Sequence, residues 1–255
     1  MTTATLSPAL DVQADVPHVD PILATVPAQL LWAAAQFAST DQTKLQLTTV
    51  CIKRYEIKPG DEHAGDDGEH VGPGLTIAAT DGHRLFRAVV PCGPSTVWDA
   101  VAPTDYDPAA IPDDGWLLDA AKLRKRVPYA QMAHIRQSGD VTFRGGRIKK
   151  STETLPTEFL LTQNCMPWEA RHYTFPNVDQ LMPSSYGQGT ENPIAFNPRY
   201  LKDACAVAER LSSNAVVKLR RNLAYTPAVW SFLYELWSVG FITVEMLIMP
   251  VQIRC

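Results

Sequence analysis

The chain has 255 residues, 45% of them hydrophobic, and a formal net charge of −4. Such a chain can bury a sizeable core as one large or two ordinary domains. Its mild acidity excludes a protein that coats nucleic acid over its whole surface, while leaving room for a local basic patch.

In chain order, residues 1–20 are rich in Pro, Thr and Asp and lack the basic end and apolar block of a signal peptide, so they predict a disordered arm. "ILATVPAQLLWAAAQFAS" follows as a short strand and a helix, with Pro27 in the first turn and Leu30, Ala33, Ala34 and Phe37 at helical spacing. Strand-like runs come next in "LQLTTVCIKRYEI", "LTIAAT" and "HRLFRAVV", the first two joined by the acidic loop "EIKPGDEHAGDDGEHVGPG". "CGPSTVWDAVAPTDYDPAAIPDDG" reads as a linker. The second helix lies in "GWLLDAAKLRKRVPYA", with Asp119 as N-cap and Pro128 as stop.

"DVTFRG" and "TEFLLTQ" are strands, and "MPSSYGQGTENP" is a further loop. In "NPIAFNPRYLKDACAVAERLSSN" Asn197 can cap a third helix, with Pro198 at its first position and an apolar stripe of Leu201, Ala204, Cys205, Ala208 and Leu211. "AVVKLRR" and "FITVEMLIMPV" close the chain as strands. The pattern predicts an α+β fold built three times from a strand–helix–strands module of roughly 70–85 residues. No run approaches the roughly 18 apolar residues of a membrane span. The cysteines at 51, 92, 165, 205 and 255 show no CxxC spacing. The expectation is a soluble, cytoplasmic protein with reduced thiols.

"LTIAATDGHRLFRAVVP" places Asp-Gly between two strands, which suits a two-residue type I′ hairpin turn with positive φ at both central positions. Asp81, His83 and Arg84 have no nucleophile or metal partner nearby, so the segment predicts a surface and no catalytic residues.

"ATDGHRL" at 79–85 also resembles a signature in the middle domain of bacterial β sliding clamps, the processivity factors of replicative polymerases. "VPAQLLWAAAQFAS" resembles that domain's first helix, and "FPNVDQLMP" its "FPDYRRVLP"-type end. "IAFNPRYLKDA" resembles the start of the last helical module, and "LIMPV" the closing "VMPMRL"-type strand. The resemblance covers about residues 22–255. It implies the DNA-clamp fold, with helices on one face of antiparallel sheets. Residues 21–185 would form a two-module domain like the middle domain, and 186–255 a single module like the end of the last.

The resemblance further implies a hydrophobic pocket for the peptides of polymerases and clamp loaders. Thr80, Gly82, His83, Arg84 and Leu85 would come from the hairpin and Leu47 from the strand before it. Pro176, Gln180 and Leu181 would come from the turn, and Leu223, Leu247, Met249, Pro250 and Val251 from the last module. Gln180 stands where the family commonly has arginine, and Gln252 follows the closing strand; a less cationic rim weakens attraction to acidic motifs.

Clamp helices line a hole around double-stranded DNA. Here Lys122, Arg124, Lys125 and Arg126 on the second helix, Arg199, Lys202 and Arg210 on the third, and Lys149 and Lys150 beside a strand would meet phosphates without base preference. Three modules per chain would rebuild a twelve-module ring as a homotetramer. Two other readings stand beside this one. One is an adaptor or regulator that keeps the clamp fold without encircling DNA. A metal-dependent enzyme could use Asp61, Glu62, His63, Asp66, Asp67, Glu69 and His70, but their spacing matches no metal helix or calcium loop, so a solvated loop with no metal and no cofactor is predicted.

Overall fold

The computed structural model describes residues 22–65, 68, 70–91, 115–126, 132–136, 140–144, 158–164, 166–167, 175–182, 195–212, 216–220, 227–236 and 240–250. The strands are β1 (Ile22–Pro27), β2 (Thr49–Ile57), β3 (Gly72–Thr80), β4 (Arg84–Pro91), β5 (Trp116–Asp119) and β6 (Met132–Arg136). They continue as β7 (Asp140–Arg144), β8 (Glu158–Asn164), β9 (Met166–Pro167), β10 (Lys218–Arg220), β11 (Ala228–Leu236) and β12 (Gly240–Ile248). The helices are α1 (Ala28–Phe37), α2 (Ala120–Arg126) and α3 (Pro198–Leu211).

Two antiparallel sheets result, one ordered β1-β6-β7-β8 and the other β10-β11-β12-β4-β3-β2-β5-β9. The first two strand–helix–strands units exchange their leading strands. β1 leaves its own unit to pair with β6, and β5 pairs back onto β2. The third unit extends the larger sheet through β12, which lies beside β4 with Leu247 opposite Leu85. The strand expected before α3 is reduced, among the described residues, to the bridging residue Ala195.

The sequence explains the helices locally. Asn197 caps α3, its Oδ1 accepting from Arg199 N at 3.0 Å, with Pro198 in the first turn. Asp119 Oδ1 accepts from Ala121 N at 2.8 Å and does the same for α2. Pro27 sits one residue earlier than predicted, as the N-cap of α1. Within α1 only the C-cap Ala38 N, donating to Ala35 O at 3.3 Å, ties off the C-terminus, and no basic residue of the last turn caps it. Two arginines from elsewhere do so. Arg124 donates to Ala35 O and Ala38 O at 2.7 and 2.5 Å, and Arg84 donates to Gln36 O at 3.1 Å.

One core joins all three units. Leu30, Leu31 and Phe37 of α1 pack on Ile77, Phe86 and Met246 of the large sheet and on Ala133 and Ile135 of the small one. Phe37 and Phe86 lie with ring centroids 5.7 Å apart. Each such fully buried side chain stabilises the fold by about 1.5–3 kcal/mol relative to exposure. Among the described residues no helix is long and apolar enough to cross a membrane.

Candidate functional site

The hairpin bend is three residues long and differs from the predicted type I′ turn. Gly82 alone takes positive φ, at 91°, and no non-glycine residue among those described does. Asp81 is held otherwise because its Oδ1 accepts from His83 N and Arg84 N at 2.9 and 3.0 Å. Thr80 Oγ1 donates to Arg84 O at 2.7 Å and accepts from Gly82 N at 3.1 Å. The side chains of Thr80 and Asp81 thus do the work that a second positive φ would do in a tighter turn.

The bend meets the final strand. Met249 N donates to His83 O at 2.9 Å, and Leu85 and Leu247 are cross-strand partners. On the face of the large sheet away from the helices, Ala78, Leu85, Val229 and Leu247 form a small apolar cluster. Val178 completes it, with Phe175 and Met182 packed alongside, from a segment whose 3₁₀ turn spans Val178–Leu181. Three distant stretches therefore converge on one outer-face notch.

The predicted pocket residues divide within it. Leu85 and Leu247 are buried at its floor, while Gln180, Leu181 and Met249 are exposed at its rim, the last two by 46% and 39%. Pro176 and Pro250 are half-buried, and Leu47, which lies in a 3₁₀ turn (Leu45–Leu47) ahead of β2 and not in the predicted strand, approaches Gly82 closely enough that a Cβ there would lie 3.8 Å from its Cδ1. Leu223 and Val251 lie outside the described residues. The notch is filled by the chain's own Val178, Phe175 and Met182. The open space beside it is a depression of about 140 Å³ walled by Cys51, Lys53, Thr76, Ala78 and Phe175–Asp179.

Arg84 does not face this notch. Strand alternation turns it to the helix side, where Nη1 donates to Asp203 Oδ2 at 2.6 Å and its guanidinium lies 5.3 Å from the Phe37 ring and 5.1 Å from the Tyr200 ring. His83 stacks on the same Tyr200. The two residues fasten the hairpin to α1 and α3.

Arg87 and Glu245, which sequence reasoning missed, form a buried polar cluster next to the notch, and His63 of the acidic loop, predicted to be solvated, is buried with them. Arg87 and Glu245 are directly paired across β4 and β12, with Nη1 donating to Glu245 Oε2 at 2.9 Å. The same Nη1 is 3.2 Å from His63 Nε2, and Nη2 is 3.4 Å from Asp179 Oδ1. Arg220 Nη1 donates to Glu62 Oε2 at 2.5 Å. Burial pushes the Glu245 carboxyl up to about 8, and a hydrogen bond with Glu62 adds to the rise, while Arg87 pulls the other way. Burial, aided by Arg87, drives the His63 imidazole down to about 4. Arg87 thus joins the acidic loop, the last strand and the 178–181 turn, and so fixes where the notch wall sits. Arg87 and Glu245 stand 158 residues apart in sequence, so no spacing rule links them.

The predicted DNA-facing cations also divide. α2 and α3 both pack against α1. Lys122 and Lys125 on α2 and Arg199 and Lys202 on α3 are exposed, and Arg210 is exposed over the Trp32 ring at 4.6 Å. Arg124 is taken up by the carbonyls at the end of α1 and is no longer a candidate phosphate contact, because its Nε and Nη2 are both engaged there. The Arg126 side chain, Lys149 and Lys150 lie outside the described residues.

No protein-family model matches the chain, and no curated protein matches it. Solved structures do. Caulobacter crescentus pol III beta superposes with a TM-score of 0.51 at 15% identity, over 90% of this chain and 66% of that one. A DnaN sliding clamp (DNA polymerase III subunit beta) from Bartonella birtlesii bound to griselimycin gives 0.51 at 16% identity, over 95% and 70%. A DNA polymerase sliding clamp from Caulobacter crescentus gives 0.50 at 14%, over 96% and 68%. The fold is that of the sliding clamps, α+β with antiparallel sheets backed by helices. The chain spans about two thirds of the length of these DNA polymerase III beta chains.

Proposed function

We propose that the chain is a non-enzymatic, sliding-clamp-like processivity factor. In this reading the outer-face notch takes short peptides of a polymerase or clamp loader, and the helix layer faces double-stranded DNA. The observation that carries it is the meeting of the 80–85 hairpin, the 175–182 segment and the end of β12 on one apolar floor. A partner's Leu or Phe would enter by displacing Val178 or Met182, or by the adjoining depression. Because Lys122, Lys125, Arg199 and Lys202 are exposed on helices flanking α1, contact with DNA would be through phosphates and would weaken with salt.

Assembly follows from the same sheet. β10 is an edge strand, and Val216, Leu219, Leu233 and Phe241 around it are 78%, 52%, 54% and 58% exposed. An uncovered apolar edge of this kind supports contact with another copy, and four chains of three units each would complete a twelve-unit ring.

Fluorescence anisotropy with a short peptide carrying adjacent Leu and Phe anchors tests the notch. Leu181→Ala and Met249→Ala remove exposed rim contacts without emptying the core, and each should weaken binding by about tenfold. Unchanged affinity in both variants would rule the notch out as the peptide site.

A further inference from the structure

We propose that Glu62, His63 and Glu245 form a binding site for a divalent transition-metal ion, of which zinc is the best match. The three side chains come from the 58–71 loop and β12, and each offers one donor atom, all within 4.8 Å of one another. Two carboxylates with one imidazole is a mixed oxygen and nitrogen set of the kind that zinc accepts. Bonds of about 2.0–2.2 Å at tetrahedral angles place neighbouring donor atoms about 3.3 Å apart. His63 Nε2 and Glu245 Oε2 are 3.6 Å apart, so a small contraction suffices.

A second observation points to a missing ligand. Glu245 Oε1 and His63 Nδ1 are buried without a hydrogen-bond partner, on side chains only 1% and 2% exposed. Buried polar atoms are ordinarily paired, so each of these side chains keeps one unused atom beside the one that Arg87 engages. The charges agree. The cluster around His63 sets the carboxylates of Asp61, Glu62, Asp179 and Glu245 against the guanidinium groups of Arg87 and Arg220. With Glu245 protonated near neutral pH, an excess of one negative charge remains, and a bound ion would take the place of that proton. Glu62, about one-third exposed, gives the ion its way in from solvent.

Arg87 is the competitor. Its Nη1 sits 2.9 Å from Glu245 Oε2 and 3.2 Å from His63 Nε2, so a cation already lies between the two donors. A bound ion displaces that contact and leaves Arg87 to Asp179, whose Oδ1 is 3.4 Å from Nη2. The metal and the guanidinium are thus alternative cations for one carboxylate pair, and metal occupancy trades the Arg87 bridge between β4 and β12 for one between β12 and the loop.

Titration calorimetry of the full chain, stripped with chelator, tests this with zinc chloride. One zinc per chain is expected, with affinity lowered about tenfold or more in His63→Ala and in Glu62→Gln. Glu62 is exposed enough that its variant keeps the fold, which circular dichroism would verify. Arg87→Ala should bind zinc more tightly than the parent chain, an outcome that a loose acidic surface would not give. Cobalt(II) in the same site should show visible absorption without thiolate charge-transfer, separating it from the cysteines. No stoichiometric binding, or binding untouched by both ligand variants, would overturn the assignment.

Discussion

Replacing Arg87 by Ala should lower the stability of the chain by about 3 kcal/mol, read from urea denaturation at neutral pH. The side chain is buried and holds Glu245, His63 and Asp179 at once, with its guanidinium 5.2 Å from the Tyr55 ring. Removing it leaves a carboxyl that is 1% exposed with no cation beside it. The loss stays at the lower end of the range for a broken buried pair because Glu245, raised to about 8, can keep a proton. Since its folded pKa lies above the ordinary 4.5, its contribution is fully present below that value and lost as pH rises through about 8. Because Arg87 holds that pKa down, its loss raises it further, and the destabilisation in Arg87→Ala should deepen as pH rises above about 8. Arg87→Ala combined with Glu245→Leu should recover part of it, since an apolar pair needs no counter-charge.

A second large effect is expected at Gly115, immediately before β5. Its φ is +77°, and a Cβ added there would collide with the backbone carbonyl of Ile52. That carbonyl belongs to β2, onto which β5 folds with Ile52 opposite Trp116. Gly115→Ala combines a left-handed backbone strain with a clash that a flexible side chain cannot relieve, and should cost about 2–4 kcal/mol in denaturant unfolding. The consequence is larger than one residue, because β5 is the strand by which the second unit enters the sheet of the first. Gly82→Ala is milder by the same measure: its φ is also positive, but a Cβ would meet only Leu47 Cδ1 at 3.8 Å.

The caps, the amphipathic α3 and the hairpin were legible because each is a short-range pattern, although in α3 Val207 is buried and the predicted Cys205 is exposed. Asn197-Pro198 and Asp119 act where their spacing puts them. The turn type was not legible, because Asp-Gly suits a type I′ turn only when the Asp side chain is idle, and Asp81 here binds two amides. β6 and β11 carried no clear signal. "MAHIR" is five residues long. In "AVWSFLYEL" Leu233 is exposed while Phe232 and Tyr234 are buried, so apolar residues on both faces erase the alternation. Period-two alternation does separate Arg84 from Leu85, and it would have sent Arg84 to the helix side had the strand been read residue by residue. The Arg87–Glu245 pair could not be read at all, since only the β4–β12 pairing brings it about.

Seen chemically, the notch and the polar cluster are one construction. Arg87 holds Asp179 at the near end of the 178–181 turn, and that turn puts Val178 on the Leu85–Leu247 floor. The position of the notch wall is thus set by an ionic contact, while its grip on a partner would be apolar.

The most direct test is a nitrogen-15 amide titration of the chain with a peptide bearing adjacent Leu and Phe anchors. Shifts gathered at 80–85, 178–182 and 247–250 are the predicted result. Shifts confined to α2 and α3, or none at saturating peptide, would contradict it.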